Sequence, residues 1–472
     1  MEMNFDGYYK AVLTHDSRFD GIFFVGVSST KIYCRTVCTA KTPQAQNCTF
    51  FPSAAAAEKA GYRPCLRCRP ELAPGKARVD AINRLASTIA SRIEDGELVE
   101  KPLDELAIEM GISLRHLRRV VKSEFGVSPI ELAQTQRLLL AKRLLTDTNL
   151  SITEIAFASG FNSLRRFNTL FKEKYNLNPT NLRKNKIEII DSEILVCELA
   201  YRPPFNWQAL LKYLSERSLN GIELIENNSY SRTVAYKKYR GWVKVEPVEN
   251  ESVLLVSLST SLAPVLLQVL ARVKRLFDLG AEPQQIAAHL GQVVKDPGLR
   301  VPGAFDGFEI AVRAILGQQV SVKAATTLAR RFVSTFGEKI ETPFENLTHL
   351  SPTANKIASL EVTELTNLGI IASRANAILA LAQAIAKKEV ILEPGINIDD
   401  TLMELKKLPG IGEWTAQYIA MRVLNWPDAF PHTDLGLYKA LNTRNPKQVL
   451  ELAEKWKPWR AYAAIHLWHS LV

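Results

Sequence analysis

No apolar run in the 472 residues approaches the length of a bilayer span, and the first 20 residues lack the basic and apolar blocks of a secretory signal. We therefore expect a cytosolic protein without a membrane partner. Cysteine is scarce, with six residues, and five of them fall within the first 68. Because a reducing cytosol disfavours disulfides, clustered cysteines indicate a metal site or reactive thiols.

Excess charge is absent from the larger part of the chain. Residues 187–472, the carboxy-terminal region, hold 31 Lys and Arg against 30 Asp and Glu. Residues 1–186, the amino-terminal region, hold 28 against 19, which accounts for most of the net charge of +10. A basic region favours a polyanionic partner, whereas the neutral region must bind by shape and chemistry if it binds nucleic acid at all. The length predicts several domains.

The early cysteines form two close pairs. Three residues separate Cys34 from Cys38, two separate Cys65 from Cys68, and 26 lie between the pairs. This spacing suits one Zn²⁺ held by four thiolates. Cys48 has no such partner and is predicted to be a small buried apolar residue. From spacing alone, a closed structural site without chemistry is the commoner interpretation, and nothing distinguishes one cysteine from the other three.

The surrounding residues resemble a known zinc module. "FFVGVSSTKIYCRTVC" followed by "GYRPCLRCRPE" is similar to the amino-terminal module of the Ada methylation-response family. The resemblance implies that Cys34 irreversibly takes a methyl group from a methylphosphotriester in DNA. Zinc keeps thiols deprotonated at neutral pH, and four thiolates leave the sulfur electron-rich. A neutralised triester can approach such an anionic centre.

Two repeated helical patterns follow a Pro/Gly-containing linker. "KPLDELAIEMGISLRHLRRVVKSEFG" predicts a helix, a turn at Gly111 and a second helix capped by Ser113. "SITEIAFASGFNSLRRFNTLFKEKYNLNP" repeats this scheme, with a turn at Gly160 and a second helix from Ser163. With the intervening helix "IELAQTQRLLLAKRLL", the segment resembles the AraC-type double helix-turn-helix domain.

The second helix of each unit is where side chains would reach DNA bases. Six candidate DNA-binding residues lie there: Arg115, Arg118, Arg119, Arg165, Arg166 and Asn168. Any single arginine of this set can equally hold phosphate or be solvated. As a set on two helices, they favour sequence-specific DNA binding.

A glycine turn between two helical patterns marks the carboxy-terminal region. Strand-like alternation in "SRTVAYKKYRGWVKVEPVENESVLLVSLST" predicts an antiparallel sheet, and Cys197 fits a buried strand position. The later residues are helical and include "KLPGIGEWTAQYIA". Its glycines could merely allow close helix packing. Alternatively, the amides at Gly410 and Gly412 hold a DNA phosphate at the start of a helix, as in a helix-hairpin-helix.

Asp434 lies 24 residues beyond Gly410, and as a lone aspartate it would be interpreted as a helix N-cap. A hairpin followed by aspartate resembles the helix-hairpin-helix glycosylases. The similarity to AlkA-type 3-methyladenine glycosylases extends through "DPGLRVPGAFDGFEIAVRAILGQQVSV" and "AEKWKPWRAYAAIHLW". It implies that Asp434 is catalytic and that Trp414, Tyr418 and Trp468 line a base pocket, although each aromatic alone fits core packing.

The same resemblance shows departures and absences. Gln319 stands where the family has a leucine that enters the duplex, and Thr433 replaces an acidic residue. Trp414 occupies the position of the lysine used by lyases, so no lyase step is expected. No four-cysteine cluster follows Asp434, so no iron–sulfur cluster is expected. The "PCHR" site of guanine-O6 methyltransferases is missing.

These features predict a multidomain chain. Its predicted parts are an α/β zinc module (1–75), an all-α double helix-turn-helix domain (80–186), an antiparallel sheet subdomain (188–275) and an all-α helix-hairpin-helix core (276–472). We expect a monomeric alkylation-response glycosylase and activator whose partner is damaged and operator duplex DNA, with RNA polymerase as a candidate partner. The alternative is a transcription factor whose carboxy-terminal part binds DNA without catalysis.

Overall fold

A computed structural model describes residues 5–74, 84–148, 150–183, 193–393 and 398–471. The predicted domain boundaries at 75–80 and 186–188 lie outside these residues. The chain divides into two compact units. The first comprises Met1–Pro203, Val248–Ala271 and Leu279–Glu282, and the second comprises Pro204–Pro247, Arg272–Asp278 and Pro283–Val472.

The cysteine-rich segment folds around a small sheet with strand order β3-β1-β2-β4. Its elements are α1 (Phe5–Leu13), β1 (Phe24–Val27), β2 (Ile32–Cys34), β3 (Cys48–Phe51), α2 (Ala54–Lys59) and β4 (Arg63–Pro64). Strand β2 is antiparallel to β1 and parallel to β4, with Tyr33 opposite Pro64. Since Cys34 and Cys65 directly follow these two paired residues, the parallel register brings the two cysteine pairs together.

The described residues between 84 and 183 form helices joined by turns. The helices are α3 (Arg84–Glu94), α4 (Glu97–Glu100), α5 (Leu103–Glu109), α6 (Leu114–Phe125), α7 (Pro129–Asp147), α8 (Ile152–Ala158), α9 (Leu164–Tyr175) and α10 (Pro179–Leu182). The Ser113 and Ser163 side chains cap α6 and α9 by accepting backbone N–H groups. Gly111 and Gly160 have φ of 65° and 79°, the left-handed conformation that favours glycine. The predicted turns and caps are confirmed.

The predicted antiparallel strands are also present. This segment contains β5 (Ile194–Ala200), α11 (Trp207–Ser215), β6 (Glu223–Glu226), β7 (Ser229–Tyr236), β8 (Tyr239–Pro247) and β9 (Val253–Ser259). In the first unit β5 pairs with β9, and Cys197 is buried opposite Val256. In the second unit β7 pairs with both β6 and β8.

The remaining segment is helical. Its helices are α12 (Leu266–Leu276), α13 (Pro283–Leu290), α14 (Gly307–Leu316), α15 (Val322–Phe336), α16 (Ala354–Ala358), α17 (Val362–Thr366), α18 (Ala372–Ala386), α19 (Ile398–Lys407), α20 (Glu413–Arg422), α21 (Leu435–Ala440), α22 (Pro446–Glu454) and α23 (Arg460–His469). Short 3-10 turns occur at Ser17–Phe19, Ala45–Asn47, Pro70–Leu72, Thr260–Val265 and Gly291–Val293. Among the described helices, none combines the length and apolar character needed to cross a bilayer.

Candidate active site and metal centre

The four predicted metal ligands converge. The sulfur atoms of Cys34, Cys38, Cys65 and Cys68 all lie within 4.8 Å of one another. Zn–S bonds of about 2.3 Å place tetrahedral sulfurs about 3.8 Å apart, so the donor set fits one Zn²⁺. Hydrogen bonding with Cys38 raises the pKa of Cys34, whereas hydrogen bonding with Cys34 lowers that of Cys65. Because the crowded thiols share protons, a divalent cation would allow all four to ionise together.

Backbone donors reach the second cysteine pair. The Arg35 N–H donates to Sγ of Cys68 at 3.4 Å, and the Arg67 N–H donates to Sγ of Cys65 at 3.3 Å. The Arg35 guanidinium is buried and paired with Asp20. Each donated hydrogen bond withdraws electron density from sulfur and makes it a weaker nucleophile.

The first cysteine pair differs from the second. Cys38 is buried, with 8% of its surface exposed, whereas Cys34 is half-buried. Among the described residues, no backbone N–H hydrogen bonds to Sγ of Cys34. Cys34 is therefore partly accessible, and its sulfur accepts no hydrogen bond from a backbone N–H of the described residues. Cys48 is buried, and its thiol donates to the Gln44 carbonyl at 3.4 Å instead of joining the cluster, as predicted.

A buried carboxyl joins this module to the helical segment. Glu58 of α2 accepts hydrogen bonds from Tyr33 (3.1 Å), Thr135 of α7 (2.8 Å) and Tyr175 of α9 (3.2 Å). Burial raises the pKa of Glu58 to about 7 even though these hydroxyl groups favour its ionised form. The Glu58 side chain thus links β2, the strand that carries Cys34, to the end of α9.

Ionic contacts continue along α7. They join Lys59 to Glu131 at 2.9 Å, Glu71 to Lys142 at 2.5 Å, and Arg69 to Asp147. Glu131, Thr135 and Lys142 are separated by four and seven positions, so these three residues share one side of α7. Asp147 is the last residue of the helix. The cysteine module is therefore held against the helix that connects the two helix-turn-helix units.

All six predicted base-reading side chains are exposed. Arg115, Arg118 and Arg119 project from α6, and Arg165, Arg166 and Asn168 project from α9. On α6, Arg119 lies 2.9 Å from the His116 ring nitrogen. On α9, Arg165 and Arg166 line a surface depression with Ser163. The two helices thus present cationic side chains to solvent.

The glycine turn is built as predicted between α19 and α20. Gly410 has φ of 76°, and a Cβ placed on it would lie 2.9 Å from Cβ of Ala377. Gly412 is the N-cap of α20, and both glycines are exposed. The Gln318 amide donates to the Gly410 carbonyl and to the Thr415 hydroxyl, both at 2.8 Å. The turn thus leaves Gly412 exposed at the start of α20.

Gln319 lies in the short connection between α14 and α15. Its φ is 53°, its side chain is exposed, and the neighbouring Val320 is 37% exposed. Arg374 donates to the carbonyl of Gln318, which itself holds the Gly410 turn. Because a non-glycine residue in the left-handed region needs support from its surroundings, the connection is held in a fixed shape beside the hairpin.

Asp434 is surrounded by N–H donors. Its Oδ2 accepts from the Trp414 indole at 2.9 Å, and its Oδ1 accepts from the Trp468 indole at 2.9 Å. The same Oδ1 accepts from the backbone of Gly436 at 2.8 Å and of Leu437 at 3.1 Å. Asp434 is thus the N-cap of α21, and the cap also places its half-buried carboxyl group between two indoles.

The predicted aromatic residues form a stack beside this carboxyl group. Trp414 and Tyr418 lie one helical turn apart on α20, with ring centroids 5.2 Å apart and planes at 15°. The Trp468 ring is tilted by 46° at 6.5 Å from Tyr418. All three rings are only partly buried. They are therefore not simply core residues.

Two residues of the site were missed from the sequence. Arg422, 4% exposed, donates to the hydroxyls of Tyr213 at 2.9 Å and Tyr418 at 2.8 Å. Burial disfavours ionisation of Tyr418, but the charges of Arg422 and Arg217 outweigh it and lower its pKa. An arginine four residues after Tyr418 in an apolar helix is a local signal for Arg422. Tyr213, more than 200 residues away, has no such signal.

Four protein families match successive parts of the chain. They are the metal binding domain of Ada (7–71), a helix-turn-helix domain (106–185), the AlkA N-terminal domain (196–306) and the HhH-GPD superfamily of base excision DNA repair proteins (312–458). The first range contains the four clustered cysteines, and the last contains Trp414 and Asp434. The predicted fold class is confirmed, and these DNA-binding domains make DNA a partner.

A full-length relative decides the family. The probable bifunctional transcriptional activator/DNA repair enzyme AlkA of Mycobacterium tuberculosis is 35% identical over 100% of this chain and 97% of its own. The chain belongs to this family of bifunctional transcriptional activator/DNA repair enzymes. DNA-3-methyladenine glycosylase 2 of Escherichia coli is 36% identical over 58% of this chain and 96% of its own. The bifunctional AdaA of Bacillus subtilis is 33% identical over 39% of this chain and 84% of its own.

Proposed function

We propose that the chain excises alkylated purines such as 3-methyladenine from DNA, and that it also acts as a regulator that takes a methyl group from DNA methylphosphotriesters onto Cys34. The observation that carries the glycosylase proposal is the Asp434 carboxylate held between the indoles of Trp414 and Trp468. It lies beside the ring stack that includes Tyr418.

The arrangement suits N-glycosidic hydrolysis of a damaged base. The nucleotide must leave the stack; in this proposal Gln319 fills the gap, and the Gly410–Gly412 amides hold a phosphate. A purine made cationic by alkylation is attracted to ring faces and leaves C1′ readily. Asp434 then stabilises the oxocarbenium character of the sugar and orients the attacking water. With Trp414 instead of a lysine, no lyase step follows.

Release of free 3-methyladenine from methylated duplex DNA tests this proposal. Asp434→Asn removes the charge but keeps a good N-cap residue, so the fold should persist while release falls at least about a hundredfold. Asp306 is a matched control, because it also caps a helix of this unit by accepting a backbone N–H. Asp306→Asn should retain release. Unchanged release by Asp434→Asn would remove Asp434 from the mechanism.

In the amino-terminal module we propose that the four cysteines hold one Zn²⁺ and that Cys34 is the methyl acceptor. Zn²⁺ would keep all four sulfurs as thiolates at neutral pH. The Cys34 sulfur attacks the methyl carbon, the methyl–oxygen bond breaks, and the phosphodiester leaves with the electron pair. The support for Cys34 is its partial exposure and its lack of a backbone donor within the described part of the chain.

Peptide mass spectrometry after exposure to methylphosphotriester DNA tests the acceptor. One added methyl group is expected on the peptide that contains Cys34. Cys48→Ala should leave uptake unchanged, because Cys48 lies outside the cluster. A methyl group on any other cysteine, or none, would refute the assignment.

We further propose that the exposed side chains of α6 and α9 read operator DNA and that the chain acts as an activator with RNA polymerase as a partner. Uptake of a methyl group turns a thiolate into a thioether and removes one negative charge, which favours DNA binding. DNA affinity measured before and after methylation tests this step, and an unchanged affinity would contradict it.

A further inference from the structure

Helix α2 of the cysteine module packs against the helical segment along its length. It begins with four alanines, and Ala55, 3% exposed, belongs to the same core cluster as Val121 of α6. Ala54 and Ala57 belong to a second cluster with Leu139 of α7. Because an alanine side chain ends at Cβ, the backbone of α2 approaches the first helix-turn-helix unit and the connecting helix closely.

The two ends of α2 are bonded to the last residues of α6 and α9. At the start of α2, the Ser53 hydroxyl accepts the Ala56 N–H as N-cap and donates to the carbonyl of Phe125, the last residue of α6, at 2.8 Å. At the other end, Glu58 accepts from the hydroxyl of Tyr175, the last residue of α9, at 3.2 Å. Both hydrogen bonds are buried. One short helix therefore joins the carboxy-terminal ends of the two helices that carry the proposed base-reading side chains.

These two hydrogen bonds act at the ends opposite to the proposed reading side chains. Arg115–Arg119 and Arg165–Asn168 lie in the first halves of α6 and α9, which have 12 residues each and are about 18 Å long. A rotation of α9 by about 10° about its carboxy-terminal end would move its other end by about 3 Å, close to the separation of successive base pairs. The hold on the far ends thus controls where the reading side chains lie.

Glu58 also fixes α2 to the helix that connects the two helix-turn-helix units. Thr135 of α7 donates to this carboxyl group at 2.8 Å, so α2, α7 and α9 meet at one buried side chain. Helices that only pack against a neighbour can slide by small amounts, whereas directional hydrogen bonds to their ends restrict such sliding. Two helices that are held in this way keep one separation.

We propose that α2 is a spacer that fixes α6 and α9 relative to each other and thereby sets the separation of the two base-pair blocks that the chain accepts in operator DNA. This inference rests on the proposed reading of DNA by α6 and α9. It gives the cysteine module a role in sequence selection besides methyl uptake, because the positions of two reading helices decide the spacing of the bases they reach.

The test measures which separation the chain accepts. Selection from a random duplex library by the full-length, zinc-loaded chain gives the two blocks, and duplexes with one base pair inserted or removed between them alter the separation. Affinities are measured by fluorescence anisotropy at one salt concentration. The readout is the ratio of affinities for the selected and the altered separation. A variant that is only less stable would bind all duplexes more weakly and leave this ratio unchanged.

Two variants each remove one of the hydrogen bonds at the ends of α2. Tyr175→Phe deletes the hydroxyl that donates to Glu58, and Ser53→Gly deletes the donor to Phe125 while glycine remains an acceptable N-cap. Each variant should lower the affinity ratio about threefold to tenfold, as expected for the loss of one buried hydrogen bond. The altered separation then becomes better tolerated.

Two matched controls remove similar groups elsewhere. Tyr33→Phe deletes another hydroxyl that donates to Glu58, but Tyr33 belongs to β2. Ser151→Gly deletes a serine N-cap, but this serine caps α8. Since neither change removes a hydrogen bond to the end of α6 or α9, both should alter the affinity ratio less than about twofold.

The outcomes separate this inference from the proposed function. An unchanged ratio in both Tyr175→Phe and Ser53→Gly would overturn the spacer role, and so would controls that lower the ratio as much as these variants do. A parent chain that binds its selected duplex without preferring one separation would also overturn it. A selection that yields no preferred sequence would instead refute the proposed reading of DNA by α6 and α9, and this inference with it.

Discussion

The amino-terminal and carboxy-terminal regions handle negative charge differently. In the first, the proposed charge partners are cations: Zn²⁺ for the thiolates and exposed arginines for phosphates. In the second, neutral N–H groups surround Asp434, and backbone amides at Gly410 and Gly412 start α20. The net charge follows this division. Arginines give the amino-terminal region an excess of positive charge, whereas the backbone and indole N–H donors of the carboxy-terminal region carry no formal charge.

The two proposed reactive groups show what this difference achieves. Asp434 accepts four N–H hydrogen bonds, whereas no backbone donor in the described chain reaches the Cys34 sulfur. An anion surrounded by donors is a poor nucleophile but a fixed source of negative potential. An anion without donors keeps its electron density for attack. We infer that the first group suits repeated electrostatic stabilisation and the second suits a single covalent event.

Removal of the metal is the change with the largest expected effect, and it should affect the amino-terminal region but not the carboxy-terminal region. Structural zinc contributes apparent free energies of roughly 10 kcal/mol or more in small modules. A strong chelator should therefore unfold the cysteine module, while base release from lesion DNA persists. Metal content, circular dichroism and base release are measured on the same samples. Loss of base release together with the metal would show that the two regions are not independent.

Glu58 breaks the pattern, because hydroxyl groups rather than cations hold this buried carboxyl of the amino-terminal region. Burial raises its pKa to about 7 from 4.5. Below pH 4.5, the ordinary pKa that applies to the unfolded chain, Glu58 is protonated in both the folded and the unfolded state, and its contribution to the free energy of unfolding is fully present. This contribution is lost as pH rises through the folded-state pKa of about 7, and the loss amounts to up to about 3 kcal/mol. Glu58→Gln should flatten this dependence in urea unfolding between pH 4 and 8, roughly the window that the shift defines. A variant that keeps the parent slope would contradict this assignment.

Removal of single donors from Asp434 sharpens the comparison. Trp414→Phe and Trp468→Phe each delete one indole N–H and retain an aromatic ring. Without one hydrogen bond to a charged group, 3-methyladenine release should slow by about tenfold to a hundredfold. Single-turnover rates of these variants are compared with that of Trp426→Phe. Trp426 is another partly buried tryptophan of the same unit, and its indole is not among the donors to Asp434. Equal losses in all three variants would indicate a general packing effect.

The smallest expected effect concerns salt. Replacing Arg165 and Arg166 by alanine should reduce the slope of log affinity against log salt on plain duplex DNA by about one for each phosphate that is no longer neutralised.

Gly410→Ala strains a residue at φ of 76° and should weaken binding to a duplex with an abasic-site analogue without changing the slope of log affinity against log salt. Anisotropy titrations at several salt concentrations measure both. A slope change with Gly410→Ala would contradict phosphate binding by neutral amides.

The sequence by itself determined the local elements of this protein, because these depend on residues that are close together in the chain. The cysteine spacings, the serine caps before α6 and α9 and the glycine turn before α20 involve residues only a few positions apart. Backbone conformation and capping depend on such neighbours, so the corresponding elements were predictable. Even the capping role of Asp434 followed from its position before a helix.

Only the tertiary structure decided which distant side chains meet. The Asp434 carboxyl group takes its indole partners from residues 20 positions before and 34 positions after it, and Arg422 reaches Tyr213 across 209 positions. Glu58 likewise joins β2, α7 and α9. These contacts depend on how whole helices and strands pack. A local sequence pattern does not specify which distant side chain becomes a neighbour once the elements have packed.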